Sequence, residues 1–211
     1  MEITAINKRK NHLFELVFSG ADSVELDKKT VADNGLFVGQ TLTLKELKTL
    51  LSESDYQRAF SRAVWYLERG DLSRKALFEK LKRAKFKEST IEKVIDRLSE
   101  LSLINDIALA ERLAQRLTEN NISKRAALQK MTAKGIDYSL AREMLDNTEC
   151  DTIKQIRAVI EKKYKKKLSD ADSIPKVFAA LQRLGFGYSD IRTVLKQYSE
   201  ELAYSEEDYG L

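Results

Sequence analysis

SRKALFEKLKRAKFKESTIEKVIDRL, Ser73–Leu98, decides the fold, because it recurs twice in the same chain without a gap. SKRAALQKMTAKGIDYSLAREMLDNT, Ser123–Thr148, and SIPKVFAALQRLGFGYSDIRTVLKQY, Ser173–Tyr198, follow at a constant spacing of 50 residues. Ser73, Ser123 and Ser173 fall in register, and so do Leu77/Ala127/Val177, Leu81/Met131/Leu181, Phe86/Ile136/Phe186, Ile91/Ala141/Ile191 and Val94/Met144/Val194. A repeat of this length marks a supersecondary unit stacked in tandem, since one unit alone cannot bury its apolar face.

Within each unit the apolar residues sit on one stripe of a helix, then on one stripe of a second helix. The shared serine just before the first stripe is positioned as an N-cap, its hydroxyl accepting from an unpaired backbone N–H. Between the stripes, Gly135 and Gly185 suit the left-handed residue that closes a helix C-terminus. Lys85 at the equivalent place either adopts that geometry at some cost or ends its helix differently. A third helix is predicted ahead of each pair, over Asp55–Arg69, Asp106–Glu119 and Asp151 to about Lys166. Two helices and a short turn braced by a third is also the plan of helix-turn-helix DNA binders.

The N-terminal residues alternate instead. His12–Phe18 and Ser23–Leu26 read as strands, Asn34-Gly35 as a turn, Leu36–Val38 as a short third strand and Leu44–Leu51 as a short helix. The expected architecture is therefore mainly α: an elongated crescent of three three-helix repeats with a small β element covering its first end. Its segments are a β-rich cap with a short helix (1–54), repeats at 55–104, 105–150 and 151–198, and an acidic tail (199–211).

The 211 residues are 43% hydrophobic, enough for real cores, and no apolar run is long enough to cross a bilayer. Met1-Glu2-Ile3-Thr4-Ala5 lacks a signal-peptide core, and the chain is expected to stay in the cytoplasm. The lone Cys150 reads as a small filler, and Pro175, two residues after Ser173, suits a first helical turn. Net charge is only +4 but unevenly spread, with Lys162, Lys163, Lys165, Lys166 and Lys167 in one cluster and Glu200, Glu201, Glu206, Glu207 and Asp208 in the tail.

Catalysis by nucleophile and base finds no partners here: His12 lies in the β element and Cys150 far from it in the chain. There is no GxxxxGK[ST] loop, and Gly185-Phe186-Gly187 lacks the third glycine of a dinucleotide fingerprint. No acidic cluster has metal-ligand spacing. No enzyme activity, cofactor or metal is expected. Basic residues remain as the candidate contacts: Arg74, Lys75, Lys124 and Arg125 follow the shared serine, with Lys176 close to it in the third repeat. The cluster Lys162–Lys167 reads either as a solvated helix end facing its own dipole or as a ridge that meets phosphates with counterion release. Trp65, Tyr66 and the in-register phenylalanines read as core rather than as base-stacking side chains.

YLERGDLSRKALFEKLKRAKFKESTIEKVIDRLSELSLINDIALAERLAQ, Tyr66–Gln115, resembles the characteristic part of the RecX family, bacterial regulators of the RecA recombinase. Arg69, Ser73, Leu77, Leu81, Lys85, Phe86, Ile91, Leu98, Asp106 and Ala110 carry the resemblance, and KGIDYSLAREMLD and RLGFGYSDIRTVLKQY are similar to the second and third family repeats. Ala76, Lys85 and Asn105 depart from the pattern, which often has an acidic residue, a glycine and an aspartate there. The resemblance implies a cofactor-free protein that lies in the groove of the RecA–DNA filament, lowers RecA ATPase and strand exchange, and promotes disassembly, in DNA repair, recombination and the SOS response. Partners would then be the RecA filament and single- or double-stranded DNA, with no membrane and a monomeric chain. A helix-turn-helix-type protein acting on DNA without RecA is the alternative.

Overall fold

The computed structural model describes residues 1–168 and 173–207, with Ala21 and residues 199–207 described by backbone alone. The acidic side chains Glu200, Glu201, Glu206, Glu207 and Asp208 therefore lie outside the described residues. The chain falls into two compact units, Met1–Asn105 and Asp106–Leu211.

The first unit opens with an antiparallel sheet in the order β1 (Ile3–Lys8), β2 (Leu13–Phe18), β3 (Ala21–Asp27). Alternation along β2 turns Leu16 and Phe18 inward, where Ile3, Leu26, Leu42 and Leu50 complete a small core. Two of these strands match the alternating stretches in the sequence; β1 does not, and the expected strand at Leu36–Val38 is absent. There the chain turns, with Phe37 and Val38 exposed and Gly35 and Gly39 at φ of 56° and 95°. The backbone partner of β1 on that side is the next segment: Ile3 donates to the Gln40 carbonyl at 2.9 Å and Gly39 donates to the Ile3 carbonyl at 2.8 Å.

Asp27 caps the short helix α1 (Lys28–Asp33) by accepting from the backbone of Lys29 and Thr30. α2 (Leu44–Leu67) then runs for 24 residues without a break, merging the two helices expected from Leu44 and from Asp55. Thr43 and Glu46 start it with a reciprocal capping box. Ser52-Glu53-Ser54 do not stop it; Ser54 is buried and its hydroxyl accepts from the Asp27 backbone at 2.8 Å, tying the helix to the sheet. α3 (Arg74–Arg83) and α4 (Glu88–Glu100) complete the bundle. Ala59 and Ala63 are fully buried on α2, small enough for close helix approach, against Leu77, Leu81, Ile91, Val94 and Leu98.

The second unit holds two such bundles. α5 (Asp106–Glu119), α6 (Lys124–Ala133) and α7 (Tyr138–Asn147) enclose Ala110, Ala114, Ala127, Met131 and Ala141. α8 (Thr152–Lys163), α9 (Ile174–Arg183) and α10 (Tyr188–Glu207) enclose Ile156, Ile160, Val177, Leu181, Ile191 and Val194. α8 stops at Lys163 rather than near Lys166: Tyr164 leaves helical geometry at φ −127° and Lys165–Lys167 form one 3-10 turn.

Each register position named from the sequence as Leu77/Ala127/Val177, Leu81/Met131/Leu181 and Ile91/Ala141/Ile191 is at most 1% exposed. The turns repeat just as closely. Lys85, Gly135 and Gly185 have φ of 69°, 84° and 89°. Each donates back three positions, to Lys82, Thr132 and Gln182, while Phe86, Ile136 and Phe186 donate to Leu81, Met131 and Leu181. That is the same two-bond helix ending three times, with an apolar residue after it, so Lys85 does adopt the left-handed geometry. The serine caps repeat only in part. Ser73 and Ser123 accept from Ala76 and Ala126, whereas Ser173 stands in helical geometry (φ −86°, ψ −16°) and makes no side-chain cap bond. Pro175 at the helix start supplies the fixed φ there instead.

Candidate functional site

The basic residues that the repeat brings to one end of α3 and α6 divide into two classes. Arg74 lies 2.6 Å from Asp96 on α4 and also donates to the Ser99 hydroxyl. Lys124 makes the equivalent ion pair with Asp146 on α7. Asp96 and Asp146 are themselves 50 positions apart, so the brace is a property of the repeat; in the third repeat Ile174 and Lys196 stand at its two ends. The Lys124 ammonium, by hydrogen bond first and by charge second, holds the Asp146 carboxyl below its usual range. Lys75 and Arg125, one position further on, are exposed, and among the described residues no carboxylate lies within ion-pair distance of either. Lys176 is exposed on the first turn of α9.

The lysine cluster is not one helical ridge. Lys162 and Lys163 end α8, whereas Lys165, Lys166 and Lys167 advance by the wider angular step of a 3-10 turn and fan around the chain. The break follows from packing: Tyr164 leans on the core and Leu168 is buried in it. Lys165 is committed to Glu161 at 2.8 Å, and this hydrogen bond lowers the Glu161 carboxyl and raises the Lys165 ammonium. Lys162 and Lys163 instead join Lys130 and Arg183 around a cleft of about 470 Å³ whose apolar lining includes Val159, Leu184 and Phe186. The sequence cluster thus separates, and two of its members meet cations from α6 and α9.

Close packing makes that cleft. Ser123, which caps α6, also donates to the Leu184 carbonyl at 2.6 Å, so the end of α9 is fastened to the start of α6. A side chain at Gly185 would put its Cβ 2.7 Å from the Ser123 Oγ.

Sequence reasoning missed one cluster altogether. Trp65, expected in the core, is 41% exposed on α2. The Arg69 guanidinium carbon lies 3.4 Å from its ring centroid and that of Arg62 5.5 Å away. Tyr66 meets Trp65 edge-on, 5.2 Å between centroids and 72° between planes, and the Lys80 ammonium is 5.0 Å from the Tyr66 ring. The available signal was the spacing Arg58, Arg62, Trp65, Arg69, which puts four residues on one stripe distinct from buried Ala59 and Ala63.

Among the described residues no cluster of His, Cys, Asp or Glu could hold a metal ion, and no helix is long and apolar enough to cross a membrane. Residues 59–98 match the family described as RecX, first three-helix domain. The chain is 31% identical over 178 residues to the regulatory protein RecX of Clostridioides difficile (strain 630), covering 82% of this chain and 84% of that protein. It is 28% identical over 213 residues to the regulatory protein RecX of Clostridium tetani (strain Massachusetts / E88), covering 98% and 94%. Its fold is similar to a crystal structure of regulatory protein RecX, with a TM-score of 0.68 at 18% identity over 92% of this chain and 98% of the other. It is also similar to RecX from Lactobacillus salivarius, with a TM-score of 0.61 at 24% identity over 69% and 97%.

Proposed function

The chain belongs to the RecX family of regulatory proteins, and we propose that it binds the RecA–DNA filament and lowers RecA ATPase, strand exchange and filament growth in DNA repair and recombination. The observation that supports this reading most is the family likeness, which runs along nearly the whole chain and includes the repeated three-helix frame. The N-terminal cap (1–54), the three repeats (55–104, 105–150, 151–198) and the acidic tail (199–211) form its proposed working parts. It acts as a cytoplasmic monomer without cofactor. Exposed Lys75, Arg125, Lys162 and Lys163 are the first contacts to test, because among the described residues no ion pair has to break for a partner to reach them. Arg74 and Lys124 also brace their own bundles, and Lys165 is paired to Glu161; Lys166 and Lys167 extend the cationic turn.

DNA-dependent ATP hydrolysis by the cognate RecA tests the reading. Substoichiometric protein should depress it, since a regulator lodged in a filament need not saturate it; unchanged hydrolysis with the protein in excess over RecA rejects the proposal. Equal DNA affinity with and without RecA would favour the direct DNA-binding alternative, which the serine-capped helix pairs support.

A further inference from the structure

We infer that Arg58, Arg62 and Trp65 on the exposed stripe of α2, continued by Arg69 in the turn that follows the helix, form a binding ridge for single-stranded nucleic acid, the Trp65–Arg69 stack receiving an unpaired base and the arginines its phosphates. The inference deepens the function proposed above and rests on it. The spacing of 4 and 3 residues aligns Arg58, Arg62 and Trp65 over roughly 10 Å of helix, at the standard rise per residue, and the turn after α2 brings Arg69 back onto Trp65, which is room for a few nucleotides.

The chemistry of the stripe is specific. Trp65 keeps 41% of its surface in water, so a ligand can reach its ring. Arg69 is held over that indole, its head 3.4 Å from the ring centroid and one guanidinium nitrogen 2.8 Å from the Trp65 carbonyl oxygen. An indole and a guanidinium so held present planar surfaces of the kind on which unpaired bases stack. Tyr66 and Lys80 extend the patch with a second aromatic and a further cation. Among the described residues the charge is nearly unopposed: Asp55 stands 3.9 Å from Arg58, and no carboxylate lies within ion-pair distance of Arg62, Arg69 or Lys80.

These features discriminate between partners. An acidic peptide would use the cations and gain little from the aromatic plane. Duplex DNA would offer phosphates but keep its base faces stacked inward. Single-stranded nucleic acid uses both, with affinity from counterion release and from stacking.

Trp65 is the sole tryptophan of the 211 residues, so the intrinsic fluorescence of the chain reports on this surface. Titration with a thymidine oligonucleotide should quench its fluorescence, whereas polyglutamate and the corresponding duplex should not. Anisotropy of a labelled oligonucleotide then separates the two parts of the ridge. Trp65→Ala should weaken binding about fivefold or more with an unchanged salt slope, and Trp65→Phe should retain most of the affinity. The double variant R62A/R69A should flatten the slope of log affinity against log salt by about 1.4. Circular dichroism confirms that each variant is folded; should Trp65→Ala fail to fold, Trp65→Phe and R62A/R69A decide. Wild-type affinity and slope in folded variants overturn the assignment, and so does equal quenching by polyglutamate, which would make the ridge a protein contact. Loss of oligonucleotide binding in Trp65→Ala with no wild-type effect on RecA ATPase would reject the function and retain the ridge. Depressed RecA ATPase with no response of Trp65 to oligonucleotide would reject the ridge and retain the function.

Discussion

Ser123 and Leu184 are 61 positions apart and joined by a 2.6 Å hydrogen bond from the serine hydroxyl to the leucine carbonyl. The same oxygen accepts from the Ala126 N–H at 3.3 Å, so one buried hydroxyl starts α6 and satisfies the end of α9. An N-cap that also donates outward turns a local helix signal into a tertiary fastening.

Ser123→Ala should therefore cost more than an ordinary exposed cap, about 1–3 kcal/mol, because it also leaves a carbonyl short of its donor. Gly185→Ala should be destabilising for two reasons, a φ of 89° and a Cβ 2.7 Å from the Ser123 Oγ. The double variant should lose less than the sum of the singles, since removing the hydroxyl relieves the close approach. Urea denaturation of the four proteins in the cycle measures this; strict additivity would show that the contact does not couple them.

Lys85→Gly should stabilise the first bundle by about 0.5–1 kcal/mol. Lys85 holds a φ of 69° where the other two repeats have glycine, and relief of the left-handed strain exceeds the added freedom of the unfolded chain. A rise in the thermal midpoint with unchanged helix content checks it.

Acid should loosen the second unit partly through Asp146. Its carboxyl titrates below the ordinary aspartate range in the folded chain because Lys124 hydrogen-bonds it and Lys124 and Arg142 stand nearby. A depressed carboxyl stabilises above its unfolded value and loses that contribution as pH falls through the folded one. Asp146→Asn should thus be less stable than wild type near neutrality and approach it at low pH. Urea midpoints measured across the acid range should converge; parallel curves would exclude the linkage.

Charge reversal at the lysine cluster should be graded. Lys162→Glu and Lys163→Glu should each weaken binding to the nucleoprotein filament more than Lys165→Glu, whose parent side chain is shared with Glu161. On single-stranded DNA each phosphate that a variant no longer neutralises should flatten the salt slope by about 0.7. Equal effects at all three positions would mean that only the summed field matters.

The repeat made most of the fold legible. Leu81, Met131 and Leu181 could be placed in the core because their spacing recurs, and Gly135 and Gly185 announced a turn that Lys85 then had to share. What escaped depends on contacts between distant segments. β1 carries no strong alternation and is held by the Gly39–Gln40 backbone. Ser52-Glu53-Ser54 looks like a helix break until Ser54 is seen accepting from Asp27. Trp65 lies on a helix that also carries core aromatics, and only its spacing from Arg58 and Arg62, across the helix from Tyr56 and Phe60, separates it from them. In the lysine run, identity was visible but direction was not, because Tyr164 and Leu168 turn the chain to fill a core and rotate the intervening cations apart.

The gapless 50-residue register also bears on how such a gene can change length. Removing the segment from Arg74 through Ser123 joins Ser73 directly to Lys124, leaving a serine ahead of a helix that begins with a base and continues into Ala126 and Ala127. Duplication between the same two points inserts one whole unit with every cap and turn in phase. Unequal crossover within the coding sequence can therefore add or delete a structural repeat in a single event, without a junction that has to be repaired by later substitutions.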